Sequence, residues 1–226
     1  MPFRAFVFDA YGTLFDVAAA ARRAASEPDG AALAALWPRL ADDWRRKQLE
    51  YAWLRTIMGA HMDFAAVTAD ALDWALESQG LGRAYEMRAR LLALYDELPA
   101  YPDVAGALTA LRDKGARLVI LSNGSPQMLA RAVQAAGLDQ SFEAVISVED
   151  VSLYKPHSSV YALVEAHLGL PPGQVMFVSS NGWDIAGAAR FGFTTSWINR
   201  SGAPIDRLSH LPAHILPDLS PLPDFA

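Results

Sequence analysis

Apolar positions along the chain first form a short unbroken run like a buried strand, then recur at helical spacing over a long interval, and then switch between the two. At the start, Arg4-Ala5-Phe6-Val7-Phe8 is a short run rich in aromatic and β-branched side chains; it stops at Asp9, with Gly12 and Thr13 close behind. That predicts a buried strand running into a tight turn whose backbone comes close to a ligand. From about residue 17 to 95 the chain is rich in Ala, Leu and Arg, broken at Glu27-Pro28-Asp29-Gly30, near Gly59 and at Gln79-Gly80-Leu81-Gly82. This reads as a helical insert. Within it Leu36, Leu40, Trp44, Lys47, Tyr51, Leu54 and Met58 define one helix face, and Arg45, Leu49, Ala52 and Thr56 another. A helix with two such faces packs on one side and covers a pocket on the other.

From Leu98 onward strands and helices alternate. The pattern predicts helix 104–114 ended by Gly115, strand 117–121, a helix from Pro126 to about 136, strand 142–147, helix 158–168, strand 175–178, helix 185–191 and strand 194–198. The Pro-rich tail from Leu211 adds one short strand at most. Alternation of this kind implies right-handed crossovers and an α/β fold, a doubly wound parallel sheet of Rossmann-like type. The predicted organisation is a core of residues 1–16 and 96–226 carrying a helical cap at 17–95.

Composition removes whole classes of chemistry. A net charge of −6 argues against a nucleic-acid surface, and no apolar run is long enough to span a bilayer. There is no Cys, hence no thiolate metal site and no cysteine nucleophile; His61, His157, His167, His210 and His214 lack metal-ligand spacing. The N-terminal run carries Arg4 and Asp9, unlike a cleaved signal, so the expectation is a soluble cytoplasmic protein without nucleic-acid or membrane partners.

The polar residues gather after the apolar strands: Asp9 and Thr13, Ser122 and Asn123, Lys155, and Ser179 with Asn181 and Asp184. Carboxyl ends of strands in one parallel sheet converge in space, so residues distant in sequence form one site there. Taken singly, each has a blander reading. Arg45 reads as an exposed helix arginine, Tyr161 as a core tyrosine, Trp183 as a packing residue at a helix start, and 42–47 as a solvated charged face.

Together these residues resemble the haloacid dehalogenase superfamily: an apolar strand leading to Asp9-x-x-x-Thr13, a strand leading to Ser122-Asn123-Gly124, the loop Lys155-Pro156, and an acidic turn from Ser179 to Asp184. The longer stretches around Asp9, Trp44 to Tyr51, Leu121 to Pro126 and Phe177 to Asp184 are similar to one branch, the L-2-haloacid dehalogenases. The superfamily's phosphatases carry a second Asp two residues after the nucleophile and a metal-binding Asp in the last turn; here those places hold Tyr11 and Ser180. A halide is a good leaving group that needs no acid, whereas an attacked phosphoryl dianion needs a metal, so these departures set aside the runner-up, a phosphatase for a small phosphomonoester. A non-catalytic protein on this fold is disfavoured by the presence of both Asp9 and Lys155.

The resemblance implies a site with no cofactor and no metal, acting on a small 2-haloacid. Asp9 would attack C2 opposite the halogen and form an ester with inversion. Lys155 would pair with Asp9 and keep it ionised; Ser122, Thr13 and turn N–H groups would hold the substrate carboxylate; Arg45 and Asn123 would accept the halide. Asn181 and Asp184 would orient Lys155 and the hydrolytic water, with Ser179 and Tyr161 supporting them. Ala10, Tyr11, Leu49, Phe64 and Trp183 would complete the pocket, largely as apolar walls. Arg46 stands where that branch commonly has Gln, which puts the cap-side wall in question. The apolar cap face would suit a homodimer.

Overall fold

The computed structural model describes residues 3–226. Strand β1 (Ala5–Phe8) is buried along its whole length and sits inside a six-stranded, all-parallel sheet. The chain then runs through α1 (Ala19–Ser26), α2 (Trp37–Met58), α3 (Phe64–Ser78) and α4 (Tyr85–Asp96). It returns through α5 (Val104–Asp113), β2 (Arg117–Ser122), α6 (Pro126–Ala135), β3 (Ala144–Ser147), α7 (Ser158–Leu168), β4 (Val175–Ser179), α8 (Gly182–Phe191), β5 (Thr194–Ile198) and β6 (His214–Leu216). The sheet order is β3-β2-β1-β4-β5-β6, so the winding reverses at β1 and opens a crevice beyond its carboxyl end. Phe8 pairs in register with Ile120 and Val178, which brings Asp9, Ser122 and Ser179 to one edge.

The α1–α4 segment leaves and rejoins the sheet region at one place. The Asp16 N–H donates to the Pro99 carbonyl (3.0 Å) and the Tyr101 N–H to the Leu14 carbonyl (2.9 Å), across an antiparallel bridge between Phe15 and Ala100. Farther out, Glu149 joins the segment to the region before β4: one carboxylate oxygen meets His61 Nε2 at 2.8 Å and the other accepts the Phe64 N–H at 3.2 Å. The Tyr154 hydroxyl donates to the Met62 carbonyl, and the Tyr154 N–H to Thr56 Oγ1 at 3.0 Å.

Three sequence expectations are corrected. On α2 the buried row is Leu40, Trp44, Gln48 and Ala52, while Leu54 and Met58 are 44% and 66% exposed. The predicted stripe runs parallel to the helix axis; packing follows an inclined ridge of residues four apart, which takes in the polar Gln48. The second predicted face holds, with Ala52 buried and Arg45, Leu49 and Thr56 half-buried. Helix α8 starts at Gly182 rather than 185, because the Asn181 carbonyl accepts both the Asp184 and Ile185 N–H groups at 3.0 Å. Strand β3 starts at Ala144, with Phe142 ahead of it packed edge-on against Phe8. Among the described residues no helix is long and apolar enough to cross a membrane.

Candidate active site

Asp9 follows the last residue of β1 and is 6% exposed. Behind it, the Ala10 carbonyl accepts the N–H groups of Leu14 (2.9 Å) and Phe15 (3.0 Å), closing the turn. Gly12 makes this turn possible at φ 89°, with Ser180 Oγ only 3.2 Å from where a Cβ would stand. Thr13 Oγ1 accepts the Ser180 N–H at 2.8 Å, which leaves its own proton for Asp9 Oδ2 at 3.0 Å. The Asn181 side-chain amide donates to the same Oδ2 at 2.8 Å.

The other oxygen of Asp9 faces Lys155 Nζ at 3.1 Å, and the same ammonium lies 2.9 Å from Asp184 Oδ2 and 5.0 Å from the centre of the Phe177 ring. Lys155 is 1% exposed. Burial alone would lower its pKa, but Asp184 and then Asp9 outweigh it and the ammonium titrates above the ordinary lysine value. Burial pushes the Asp184 carboxyl up, with Asp9 adding to the effect and Lys155 opposing it. The Tyr161 hydroxyl donates to Asp184 Oδ1 at 2.7 Å; burial and the Asp184 charge hold its pKa well above the usual tyrosine value, so it stays a donor. Lys155 is aimed from the loop by its own N–H, which donates to Asn123 Oδ1 at 3.0 Å. Ser122 Oγ accepts the Gly124 N–H at 3.1 Å, and Ser179 Oγ accepts the Asn181 N–H at 3.1 Å.

From α2, Arg45 reaches over the crevice. Its Nη2 donates to the Tyr11 carbonyl (3.2 Å) and to Asn181 Oδ1 (3.4 Å), and its Nη1 to Gln48 Oε1 (2.8 Å). The Tyr11 ring stacks on Tyr95 at 5.5 Å and tilts against Phe64 at 5.9 Å, and all three are buried. Trp183, half-buried, meets Trp53 of α2 edge-on at 5.3 Å. Leu49 is half-buried one turn beyond Arg45.

This geometry can be set beside known proteins. The family model for haloacid dehalogenase-like hydrolases matches residues 3–192. An (S)-2-haloacid dehalogenase of Pseudomonas sp. (strain CBS-3) is 46% identical over 222 residues, covering 98% of this chain and 96% of that one. The chain belongs to the haloacid dehalogenase superfamily, in its L-2-haloacid dehalogenase branch. Within the same branch, an (S)-2-haloacid dehalogenase of Burkholderia cepacia is 44% identical over 89% of this chain and 85% of its own. The L-2-haloacid dehalogenase of Xanthobacter autotrophicus with chloropropionic acid covalently bound superposes with a TM-score of 0.86 at 38% identity, covering 98% of this chain and 97% of that one.

A divalent ion of the kind the resemblance assigns to the superfamily's phosphatases does not fit the donors at this edge. Asp9 meets an ammonium on one oxygen and two hydrogen-bond donors on the other, and the Tyr11 carbonyl already accepts from a guanidinium. Ser180 supplies a neutral hydroxyl where a second carboxylate would be needed, and a dication would sit beside Lys155 and Arg45. Arg46 does not line the pocket. It points outward, 51% exposed, paired with Asp43 at 2.7 Å and lying 5.0 Å over Trp74.

Of the residues expected from the sequence, Asp9, Thr13, Arg45, Asn123, Lys155, Tyr161, Asn181 and Asp184 are joined by hydrogen bonds, Ser122 and Ser179 hold the turns beside them, Tyr11 packs on Phe64, Ala10 is buried next to Asp9, and Leu49 and Trp183 are half-buried. Two contributors escaped that reading, Gln48 and Tyr95. The available signal for Gln48 was its place in the row Leu40, Trp44, Gln48, Ala52; nothing local singles out Tyr95.

Proposed function

We propose that this protein hydrolyses L-2-haloalkanoic acids to D-2-hydroxyalkanoic acids and halide through an ester on Asp9, without a metal. The observation that carries this reading is the nucleophile's setting: a nearly buried carboxylate, each oxygen held, facing an ammonium that it shares with Asp184, and with Tyr11 rather than a second acid two residues on. The Xanthobacter relative, with its covalently bound chloropropionic acid, supports the same route.

An oxygen of Asp9 attacks C2 from the side opposite the halogen. The new C–O bond forms as the carbon–halogen bond breaks, and the pair of electrons leaves with the halide. Lys155 offsets the crowding of Asp9 against the substrate carboxylate, which is held by Ser122 and the turn backbone; Thr13, expected from the sequence to share that task, has its one proton on Asp9 and orients the nucleophile instead. The halide departs toward Arg45 and Asn123. Water, oriented by Asn181 and Asp184, then attacks the ester's carbonyl carbon and releases the hydroxy acid, with one proton lost overall to solvent. Ser179 and Tyr161 hold Asn181 and Asp184 in place, and Ala10, Tyr11, Leu49, Phe64 and Trp183 enclose the first step. In this reading residues 17–95 form the cap over a core of 1–16 and 96–226. Exposed Leu54, Ile57, Met58 and Met62 make the apolar face of a homodimer, which sedimentation equilibrium in dilute buffer checks directly by mass.

The test is a single turnover in ¹⁸O-water with enzyme in excess over L-2-chloropropionate, run in EDTA. The expected outcome is unlabelled D-lactate and label in the peptide containing Asp9. Label in the first-turnover lactate, or a requirement for magnesium, overturns the reading.

A further inference from the structure

We infer that Gln48 is the positioning residue for Arg45, fixing the guanidinium through a hydrogen-bond relay that runs in one direction only and begins at Phe64. The inference rests on the reading of Arg45 as the halide's receptor and adds to it the residue through which that arginine is aimed without being paired to a carboxylate.

Gln48 lies mid-helix on α2 and is 1% exposed, a setting in which each unmet polar site is costly. All of its polar atoms are met. Nε2 donates to Thr68 Oγ1 at 2.7 Å and to the Tyr95 oxygen at 3.1 Å; Oε1 accepts from Arg45 Nη1 at 2.8 Å and from the Tyr95 hydroxyl at 3.2 Å.

Counting protons sets the direction. Thr68 has one hydroxyl proton, and it goes to the Phe64 carbonyl, 2.6 Å away, which can only accept. Toward Gln48, Thr68 can therefore only accept, so the NH₂ end of the amide must face it and the carbonyl end must face the other way. At that end stands a guanidinium, which can only donate. Flipping the amide would set NH₂ against N–H on one side and oxygen against oxygen on the other. Tyr95, able to donate and accept, adjusts to either arrangement and enforces neither. The relay ties Phe64, a wall of the crevice, to Arg45, its cation, through two helices of the same segment.

The choice of an amide has an electrostatic consequence. The Tyr11 carbonyl, Asn181 Oδ1 and Gln48 Oε1, the three acceptors that Arg45 uses, are all neutral. Its geometry is fixed while its charge remains available to an anion. A carboxylate at position 48 would hold the guanidinium as firmly and spend that charge on an ion pair.

Four variants and one combination test this: Gln48→Met, which keeps size and loses the hydrogen bonds; Gln48→Glu, which keeps an acceptor and adds charge; Thr68→Val, which releases the amide's orientation from outside the crevice; Arg45→Ala; and Arg45→Ala with Gln48→Met. The readouts are the inhibition constant for sodium bromide as product, kcat and KM for L-2-chloropropionate and L-2-bromopropionate, and the melting temperature. Gln48→Met is expected to weaken bromide inhibition about tenfold and to lower kcat more for the chloro than for the bromo substrate, with KM within about threefold. Gln48→Glu should weaken bromide inhibition at least as much, and Thr68→Val in the same direction by about threefold. In the Arg45→Ala background Gln48→Met should change bromide inhibition no further. Lowered melting temperatures with bromide inhibition unchanged in all three single variants at 48 and 68 would make the relay purely structural and overturn the inference alone. An equal additional loss in the combined variant would do the same. Bromide inhibition unchanged in Arg45→Ala would overturn the halide role of Arg45 and the inference with it. Should Gln48→Met fail to fold, Gln48→Glu and Thr68→Val decide by the same readout.

Discussion

Lys155 Nζ stands closer to Asp184, at 2.9 Å, than to Asp9, at 3.1 Å, and all three groups are nearly or wholly buried. One ammonium thus serves two carboxylates. Lys155→Met is expected to abolish halide release and to cost about 3–5 kcal/mol in urea unfolding, because it leaves two buried carboxyl groups without their cation. Since the folded pKa of Lys155 is raised, its contribution is complete below the ordinary lysine value of about 10.4 and is lost as pH climbs through the folded value. Unfolding free energies above that pH should therefore fall more steeply for the wild type than for Lys155→Met; parallel alkaline limbs would contradict the pairing.

A second ion pair supports the nucleophile's turn from below. Arg200 makes a two-pronged contact with Asp103, at 2.9 Å on each oxygen, and donates to the Thr13 carbonyl at 3.0 Å. Burial would raise the Asp103 pKa, yet Arg200 and the Leu219 N–H more than offset it and hold the carboxyl below its ordinary range. Its stabilisation is present above the unfolded value of about 3.9 and disappears as pH falls through the lowered folded value. Asp103→Asn should consequently lose stability at neutral pH and show a shallower acid limb, measured by urea unfolding between pH 6 and 2. An unchanged acid limb would remove Asp103 from the acid response.

Arg45→Ala should lower kcat/KM for L-2-chloropropionate by about a hundredfold or more. Arg46→Ala should leave it within about twofold and change stability by no more than about 0.5 kcal/mol, since Arg46 is itself half exposed and pairs on the outer side of the helix. Two neighbouring arginines on one helix lie about 100° apart, so only one faces the crevice. Similar losses in both variants would place α2 the wrong way round.

The Tyr11 hydroxyl is buried and has no hydrogen-bond partner among the described residues. Tyr11→Phe should stabilise the protein by about 1 kcal/mol and leave kcat/KM within about twofold, because the ring packing on Tyr95 and Phe64 is kept. A tenfold loss of activity at unchanged stability would mean that the hydroxyl meets the substrate.

Much of this was legible in the sequence because its causes are local. A strand ending in a polar residue announces both its own burial and the edge where its side chain emerges, and Asp9, Ser122 and Ser179 were readable one strand at a time. What escaped depends on partners far away in the chain. Gln48 looks like one more polar residue on a charged helix until Thr68 and Tyr95 are brought to it. Tyr154 reads as a loop residue until its hydroxyl meets Met62. The inclination of the packed ridge on α2 depends on how helices cross, which residue spacing on one helix does not specify.

The side-by-side crossing of residues 14–16 with 99–101 makes the α1–α4 segment a cassette. Its two ends are already closed on each other by backbone hydrogen bonds, so a replacement of different length starts and finishes at the same doorway, and a flexible loop twice as long adds only about 0.6 kcal/mol of closure entropy. In the proposed division into cap and core, the roof over the crevice, with Arg45, Leu49 and Phe64, would be exchanged as a unit, together with its contacts to Glu149 and Tyr154, while Asp9, Lys155 and Asp184 keep their places beyond the strand ends. On the proposed mechanism, changes in substrate range would fall to the cassette, and changes in the bond-breaking chemistry to the strand ends beneath it.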